Sequence, residues 1–438
     1  KNEEVNSMLV NFTVKNLLSF KEEQTLSLQT GAYLRKYVNN RFEVKPKNYP
    51  EKLRLLKSAI VFGGNGSGKS NLVSGLNALK TLVLREQASI NDALLYEPFA
   101  LDPLTKQSPS VMTIEFINDS VLYRYSLANT AREVVKESLE IYDKTQDDFV
   151  YYFKRDGAES SVFPEKYQEY QTQIKSNSLV IHTLESKNDQ HATNVVRWFA
   201  NQLVIFDGSL RNIERLSNEK DKEKFLNFLK LADMNMVDLV PVKDKEEDYS
   251  KQEKLAAVLE RIIQEKDPTI EIGRVKKSLY SLYSVYNQYD EMNQVVGQER
   301  IHYDLESSGT KKLIGLALNI LFNPEEKVFV FDEFDDAFHQ ELSGTLLEAF
   351  NAMETNTQFI LTSHELHLMD NQLRKDQIYF TDKNYRGASE LYALYDFEAD
   401  PKKGRGDITY YRRYLNGLFG GVPHIDRSEI VQAVKVKE

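Results

Sequence analysis

Residues 58–84, SAIVFGGNGSGKSNLVSGLNALKTLVL, confine the fold more tightly than any other stretch of this chain. An apolar, β-branched run ends at Phe62, a glycine loop follows, and a helical pattern extends from Lys69 to about Leu84. Within it, GGNGSGKS at 63–70 satisfies G-x-x-x-x-G-K-[ST] in the strand–loop–helix setting that the motif requires. Glycines let the backbone curl until several N–H groups face one phosphate, and the helix beneath adds its positive end. Gly63, Gly64, Asn65, Gly66, Ser67, Gly68, Lys69, Ser70 and Asn71 are therefore the candidate phosphate cradle. Lys69 is expected to reach the β- and γ-phosphates and Ser70 to hold Mg2+, so the expected ligands are a nucleoside triphosphate and Mg2+.

KVFVFDE at 327–333 is the matching second element. Four apolar residues run into Asp332, placed to bind Mg2+ through water, and then into Glu333, placed to orient and deprotonate an attacking water. KKLIGLALNIL and ELSGTLLEAFNAME read as helices, TQFILTSH and DQIYFTD as strands, which together predict a parallel α/β sheet. Two strands finish in polar residues at their carboxyl ends, where such sheets place ligands.

The rest of the chain is organised around these pieces. Residues 8–28 predict two short strands, and 111–154 predict four more, as in an antiparallel lobe. Residues 165–235 look mainly helical, interrupted by LVIFD at 203–207, and the highly charged 219–271 carries an amphipathic spacing at Leu255, Val258, Leu259 and Ile262. Residues 33–57 hold eight basic and two acidic residues with Pro46 and Pro50, and read as a loop. At 438 residues and 41% hydrophobic, the chain can bury two or three domains of about 150 residues each. A net charge of −10 argues against a surface that grips nucleic acid all over. With no cysteine, disulfides and thiolate chemistry are excluded. No run approaches the ~20 apolar residues of a membrane span, and the expectation is a cytoplasmic protein without a membrane partner.

Two further motifs narrow the reading. SSGT at 307–310 leads into a helix 23 residues before Asp332, counted from Gly309, and LTSH places His364 32 residues after it. Together with the loop and the acidic strand, they resemble the signature motif and switch histidine of ABC-type ATPases. MLVNFTVKNLLSFKEEQTLSL, SVMTIEFINDSVLYRYSLAN, VVKESLEIYD, ESSGTKKL and YLNGLFGGVP extend the likeness. Over most of 8 to about 425 the chain resembles the SMC-like ABC-type ATPases of bacterial abortive-infection (phage defence) systems, of the AbiL/RloA type, which are AAA family ATPases.

The resemblance implies an α/β fold, a P-loop NTPase of ABC/SMC-head type with an antiparallel β lobe and a helical insertion. It divides the chain into 8–160, an N-terminal half with P-loop and β lobe; 161–299, a mostly helical insertion or lid; 300–400, a C-terminal half; and 401–438, a basic extension. It implies a head-to-tail homodimer, or a higher homo-oligomer, clasping two ATP molecules. Ser307, Ser308, Gly309 and Thr310 of one chain would complete the site built by Lys69, Asp332, Glu333 and His364 of the other, with Lys69, Glu333 and His364 catalytic and Ser70 and Asp332 on the metal. Asp335, Asp336 and His339 fall in the D-loop position, and Gln87 and Gln107 are the candidates for a Q-loop. The implied role is an ATP-hydrolysing sensor or regulator of a separately encoded effector, a Toprim-type nuclease, in antiphage defence. The alternative is an SMC-like DNA-repair or DNA-clamping ATPase. The 33–57 loop and the basic residues of 401–438 are a solvated face or a candidate patch for nucleic acid or an acidic partner, and YSLYSVYNQY at 280–289, read chiefly as a buried face, is a candidate stacking surface.

Overall fold

The computed structural model describes residues 7–32, 34, 36–156, 161–243, 280–323, 325–397, 409–420 and 427–435. They form two compact units, one of residues 1–205 with 325–438 and one of residues 206–324.

The first unit opens with β1 (Met8–Lys15) and β2 (Gln24–Ser27). A hairpin of β3 (Arg41–Val44) and β4 (Leu53–Leu56) follows, then β5 (Ser58–Gly63) and helix α1 (Lys69–Leu84). Next come β6 (Ser110–Asn118), β7 (Val121–Asn129), β8 (Val134–Asp143) and β9 (Asp148–Asp156). Helices α2 (Val180–Ser186) and α3 (Gln190–Arg197) precede β10 (Leu203–Ile205). The second unit carries α4 (Glu219–Leu231), β11 (Asp238–Lys243), β12 (Tyr280–Tyr289), β13 (Val295–His302) and α5 (Ser308–Leu321). The first unit resumes with β14 (Val328–Phe331), α6 (Gln340–Ala352), β15 (Gln358–Ser363), β16 (Ile378–Lys383) and β17 (Ser389–Ala393), and ends in α7 (Tyr410–Leu415) and α8 (Arg427–Lys435).

Two six-stranded sheets result. The antiparallel lobe has the order β2-β1-β6-β7-β8-β9, and the central sheet runs β10-β14-β15-β5-β16-β17, parallel except for β17. Every residue of β5, β14 and β15 is buried, as expected of parallel strands covered on both faces. That order brings the carboxyl ends of β14, β15 and β5 side by side on one edge. Helix α1 buries Leu72, Leu76, Leu79 and Val83 on one face, in the core that also takes Phe12, Phe116 and Tyr123 of the lobe. Trp198, fully buried, packs with its ring centroid 4.5 Å from that of Phe116.

The structure revises several expectations. Residues 33–57 are not simply a loop: Phe42, Val44, Leu53 and Leu55 alternate inward and pack on Met8, Val10 and Ile117. Several of the basic residues there are engaged. Arg41, Lys52 and Arg54 all pair with Glu43, and Lys57 is buried, donating to the Asn351 and Met353 carbonyls at the end of α6. In β12 the buried residues are Leu282, Ser284 and Val285, whereas Tyr280, Tyr283 and Tyr286 are half-buried; Tyr286 donates to Glu306. The second compact unit spans 206–324. Val180, Ile181, Leu184, Val195 and Trp198 belong to the core around α1, so 161–205 stays with the first unit and the SSGT helix with the second. The extension at 401–438 is not only a charged tail, because Tyr414 is buried with its ring 5.2 Å from Phe380. Leu255, Val258, Leu259, Ile262, Lys402, Lys403 and Arg405 lie outside the described residues.

One buried carboxylate ties the lobe to the helices. Glu137 of β8 accepts from the amides of Val180 (2.6 Å) and Ile181 (3.1 Å) and from the Tyr125 hydroxyl (2.9 Å). Burial pushes its pKa up to about 7, against the three donors that pull it down. The folded value lies above the ordinary 4.5, so this term favours the fold most at low pH and weakens as pH rises through about 7. Glu137→Ala strands three buried donors and is expected to lower stability by about 3 kcal/mol. In thermal melts, the gap between wild type and variant should narrow from pH 5 to pH 8. A gap that widens over that range would contradict the assignment.

Candidate functional site

The glycine loop turns at the carboxyl end of β5 and delivers Lys69 into a buried position. Its ammonium donates to the carbonyls of Gly63 (2.9 Å) and Gly64 (3.1 Å) and lies 3.4 Å from His364 Nδ1. Burial draws its pKa below the ordinary lysine value, opposed by the charges of Glu333, Asp332 and Asp335. Gly68 has φ +118°, a region that side chains avoid, and a Cβ there would meet Ser389 Oγ at 2.5 Å. No side chain caps the start of α1. First-turn amides with no side-chain cap, above a buried cation, suit an anionic ligand.

Behind the loop runs a series of hydroxyls. Asn71 Nδ2 donates to Ser19 Oγ (2.7 Å), which lies 2.7 Å from Ser389 Oγ, and Ser389 donates to the Ser67 carbonyl (2.6 Å). Ser67 Oγ is 2.7 Å from Thr381 Oγ1. Ser19, Thr381 and Ser389 come from the β1–β2 turn, β16 and β17. Nothing near them in sequence marks them, since only the sheet order brings them to the loop.

The acidic strand ends on the same edge. Asp332 is half-buried and Glu333 exposed, with Glu333 Oε1 3.6 Å from His364 Nε2. Lys69 can only donate to His364 Nδ1, which leaves Nε2–H to face Glu333. Thr362, fully buried at the end of β15, donates to Asp332 Oδ1 (2.5 Å) and accepts from the Glu333 amide (2.7 Å). Asp335 is buried too: its Oδ2 accepts from Ser363 Oγ (2.9 Å) and the Glu365 amide (3.1 Å), so it pins the two turns together and is no solvated helix start. His339 caps α6 by accepting from the Glu341 amide, and Asp336 is exposed.

Lys69, Asp332, Glu333 and His364 are thus gathered within the first unit, with Ser70 exposed on the opening turn of α1. The SSGT turn belongs to the second unit. There Ser307 and Ser308 are exposed, Ser307 caps α5 by accepting from the Thr310 amide (3.1 Å), Gly309 is half-buried, and Thr310 is buried. Gln87 lies beyond the far end of α1, about 24 Å of helix from the loop, and cannot reach a phosphate held there. Gln107 is exposed at the end of a short 3-10 turn.

Among the described residues, no group of three or more His, Asp or Glu side chains could hold a metal ion. The donors at hand are one carboxylate, Asp332, and one hydroxyl, Ser70. That set fits Mg2+, which takes one or two carboxylate ligands and completes its shell with phosphate and water. Among the described residues no helix is long and apolar enough to cross a membrane.

No curated protein sequence matches the chain. Among solved structures it is similar to the SMC head domain from Thermotoga maritima, at 13% identity and a TM-score of 0.36, covering 89% of this chain and 99% of that one. It is similar to the SmcHead bound to the C-winged helix domain of ScpA, at 14% identity and 0.39, covering 88% and 97%. A third is the Smc head domain with an extended coiled coil bound to the C-terminal domain of ScpA, derived from Pyrococcus furiosus, at 17% identity and 0.39, covering 89% and 96%. Residues 58–370, well over half of the sequence, match the family described as "AAA domain, putative AbiEii toxin, Type IV TA system", and the chain belongs to that family.

Proposed function

We propose that this chain is an ATP-binding and ATP-hydrolysing, ABC-type ATPase that dimerises head to tail around two ATP molecules. One observation carries this reading: Asp332, Glu333 and His364 stand on the same sheet edge as the glycine loop that holds Lys69. Ser70 and Asp332 would hold Mg2+, which when bound would neutralise charge on the phosphate oxygens. Lys69 leaves the Gly63 and Gly64 carbonyls for the phosphates, Glu333 orients and deprotonates the attacking water, and His364 fixes the Glu333 carboxylate on the γ-phosphate side. The Ser307–Gly309 turn, exposed at its two serines, completes the site of the opposite subunit, which couples turnover to association.

The biological role we infer is that of a cytoplasmic sensor or regulator in antiphage defence, of the AbiL/RloA type, controlling a separately encoded, Toprim-type nuclease. The family match, described in terms of an AbiEii toxin, supports a defence setting. Direct action on DNA is the weaker reading, because Arg41, Lys52 and Arg54 already pair with Glu43. The test is Mg2+-dependent ATP turnover by the purified chain, with and without duplex DNA. Slow basal turnover that DNA leaves within twofold is expected. Stimulation of about tenfold or more by DNA alone would favour the DNA-clamping alternative.

A further inference from the structure

Glu333 has a backbone φ of +46°, in the left-handed region that a residue with a side chain adopts only when its surroundings hold it there. Both amides around it are tied to one residue. The Glu333 N–H donates to Thr362 Oγ1 (2.7 Å) and the Phe334 N–H to the Thr362 carbonyl (3.1 Å). The hydroxyl proton has one direction open to it. An amide can only donate and an ionised carboxylate only accept, so the proton points at Asp332 Oδ1, 2.5 Å away, and a lone pair meets the Glu333 amide. Thr362 is fully buried in a β-strand, where a branched side chain has few rotamers, so this bridge is rigid.

We propose that Thr362 is the positioning residue of the site. Its hydroxyl links Asp332 to Glu333 and holds the glutamate in the left-handed conformation that aims its carboxylate at the water. The proposal rests on the hydrolytic reading above, and it adds that the acidic pair is set by a side chain from the neighbouring strand. A catalytic carboxylate displaced by about 1 Å loses on the order of 10²-fold in rate while ligand binding persists.

Thr362→Val keeps the shape and removes both hydrogen bonds; Thr362→Ser keeps both and removes a methyl group. Turnover number is measured for wild type, Thr362→Val, Thr362→Ser and Glu333→Gln, alongside the affinity for a fluorescent, slowly hydrolysed ATP analogue. Thr362→Val should lose about 10²-fold in kcat with affinity within threefold of wild type, and Thr362→Ser should stay within threefold on both measures. Adding Thr362→Val to Glu333→Gln should lower the rate no further, because the aimed group is already gone. If Glu333→Gln is inactive while Thr362→Val turns over like wild type, the positioning role is wrong and the hydrolytic reading stands. If Glu333→Gln itself matches wild type, both fall together. Loss of affinity in step with rate, or no rescue by serine, would reduce Thr362 to a structural residue. Should Thr362→Val not fold, Thr362→Cys replaces it; its longer, weaker donor is expected to fall at least tenfold below serine, and equal rates overturn the proposal.

Discussion

Glu333→Gln is expected to lower kcat about 10³-fold while ATP still binds, so that ATP-bound dimers accumulate. The amide has nearly the size and shape of the carboxylate, so the left-handed turn and its bonds to Thr362 survive. What it loses is the basicity needed to take a proton from water. Lys69, Ser70 and Asp332, the residues proposed to hold the phosphates and the metal, are untouched. Single-turnover hydrolysis, paired with size-exclusion chromatography in Mg2+ and ATP, reads both halves of the expectation. Turnover at the wild-type rate would remove Glu333 from the role of general base. A variant that stayed monomeric in ATP would instead break the link between binding and association.

Lys69→Ala should abolish nucleotide binding, weakening it by on the order of 10²-fold or more, because a buried ammonium is the strongest donor the loop offers. Ser307→Arg should bind ATP normally and fail to hydrolyse it, since the change lies on an exposed helix cap in the other unit. Mixing the two inactive chains separates a shared site from a self-contained one. Half of randomly formed pairs are hybrids, and each hybrid has one site with a sound loop from one chain and a sound turn from the other. Roughly a quarter of wild-type activity should therefore return. If the mixture stays inactive after full subunit exchange, the site does not straddle two chains.

The local signals in the sequence were strong wherever one short stretch does the whole job. The glycine loop, the strand running into Asp332 and Glu333, and the histidine after β15 each carry their chemistry and their flanking periodicity within ten residues. The antiparallel lobe was legible for the same reason, because strands of nine or ten residues alternate clearly. The β3–β4 hairpin was hidden by composition: its charged residues face outward and its two prolines occupy the connection, so Phe42, Val44, Leu53 and Leu55 were outnumbered. Thr362 and Glu137 could not be picked out at all. A threonine in a buried strand and a glutamate in an amphipathic one are ordinary, and each becomes unusual only through a partner 29 to 44 residues away. The grouping of 161–205 with the first unit was equally hidden, since short helices bury against α1 without any change in composition to announce it.

The serine and threonine hydroxyls behind the glycine loop set the timing of its assembly. Ser389 reaches Ser67 across 322 residues of chain and Thr381 reaches it across 314, while β5 has its neighbours only once β15 and β16 exist. Contacts that distant close late, after most of the loop-closure entropy has been spent. A ribosome-bound fragment ending before β17 would carry the whole GGNGSGKS stretch and still lack the walls that shape it. The shape that lets the loop hold an anion is then gained in one late step, once β16 and β17 have joined the sheet.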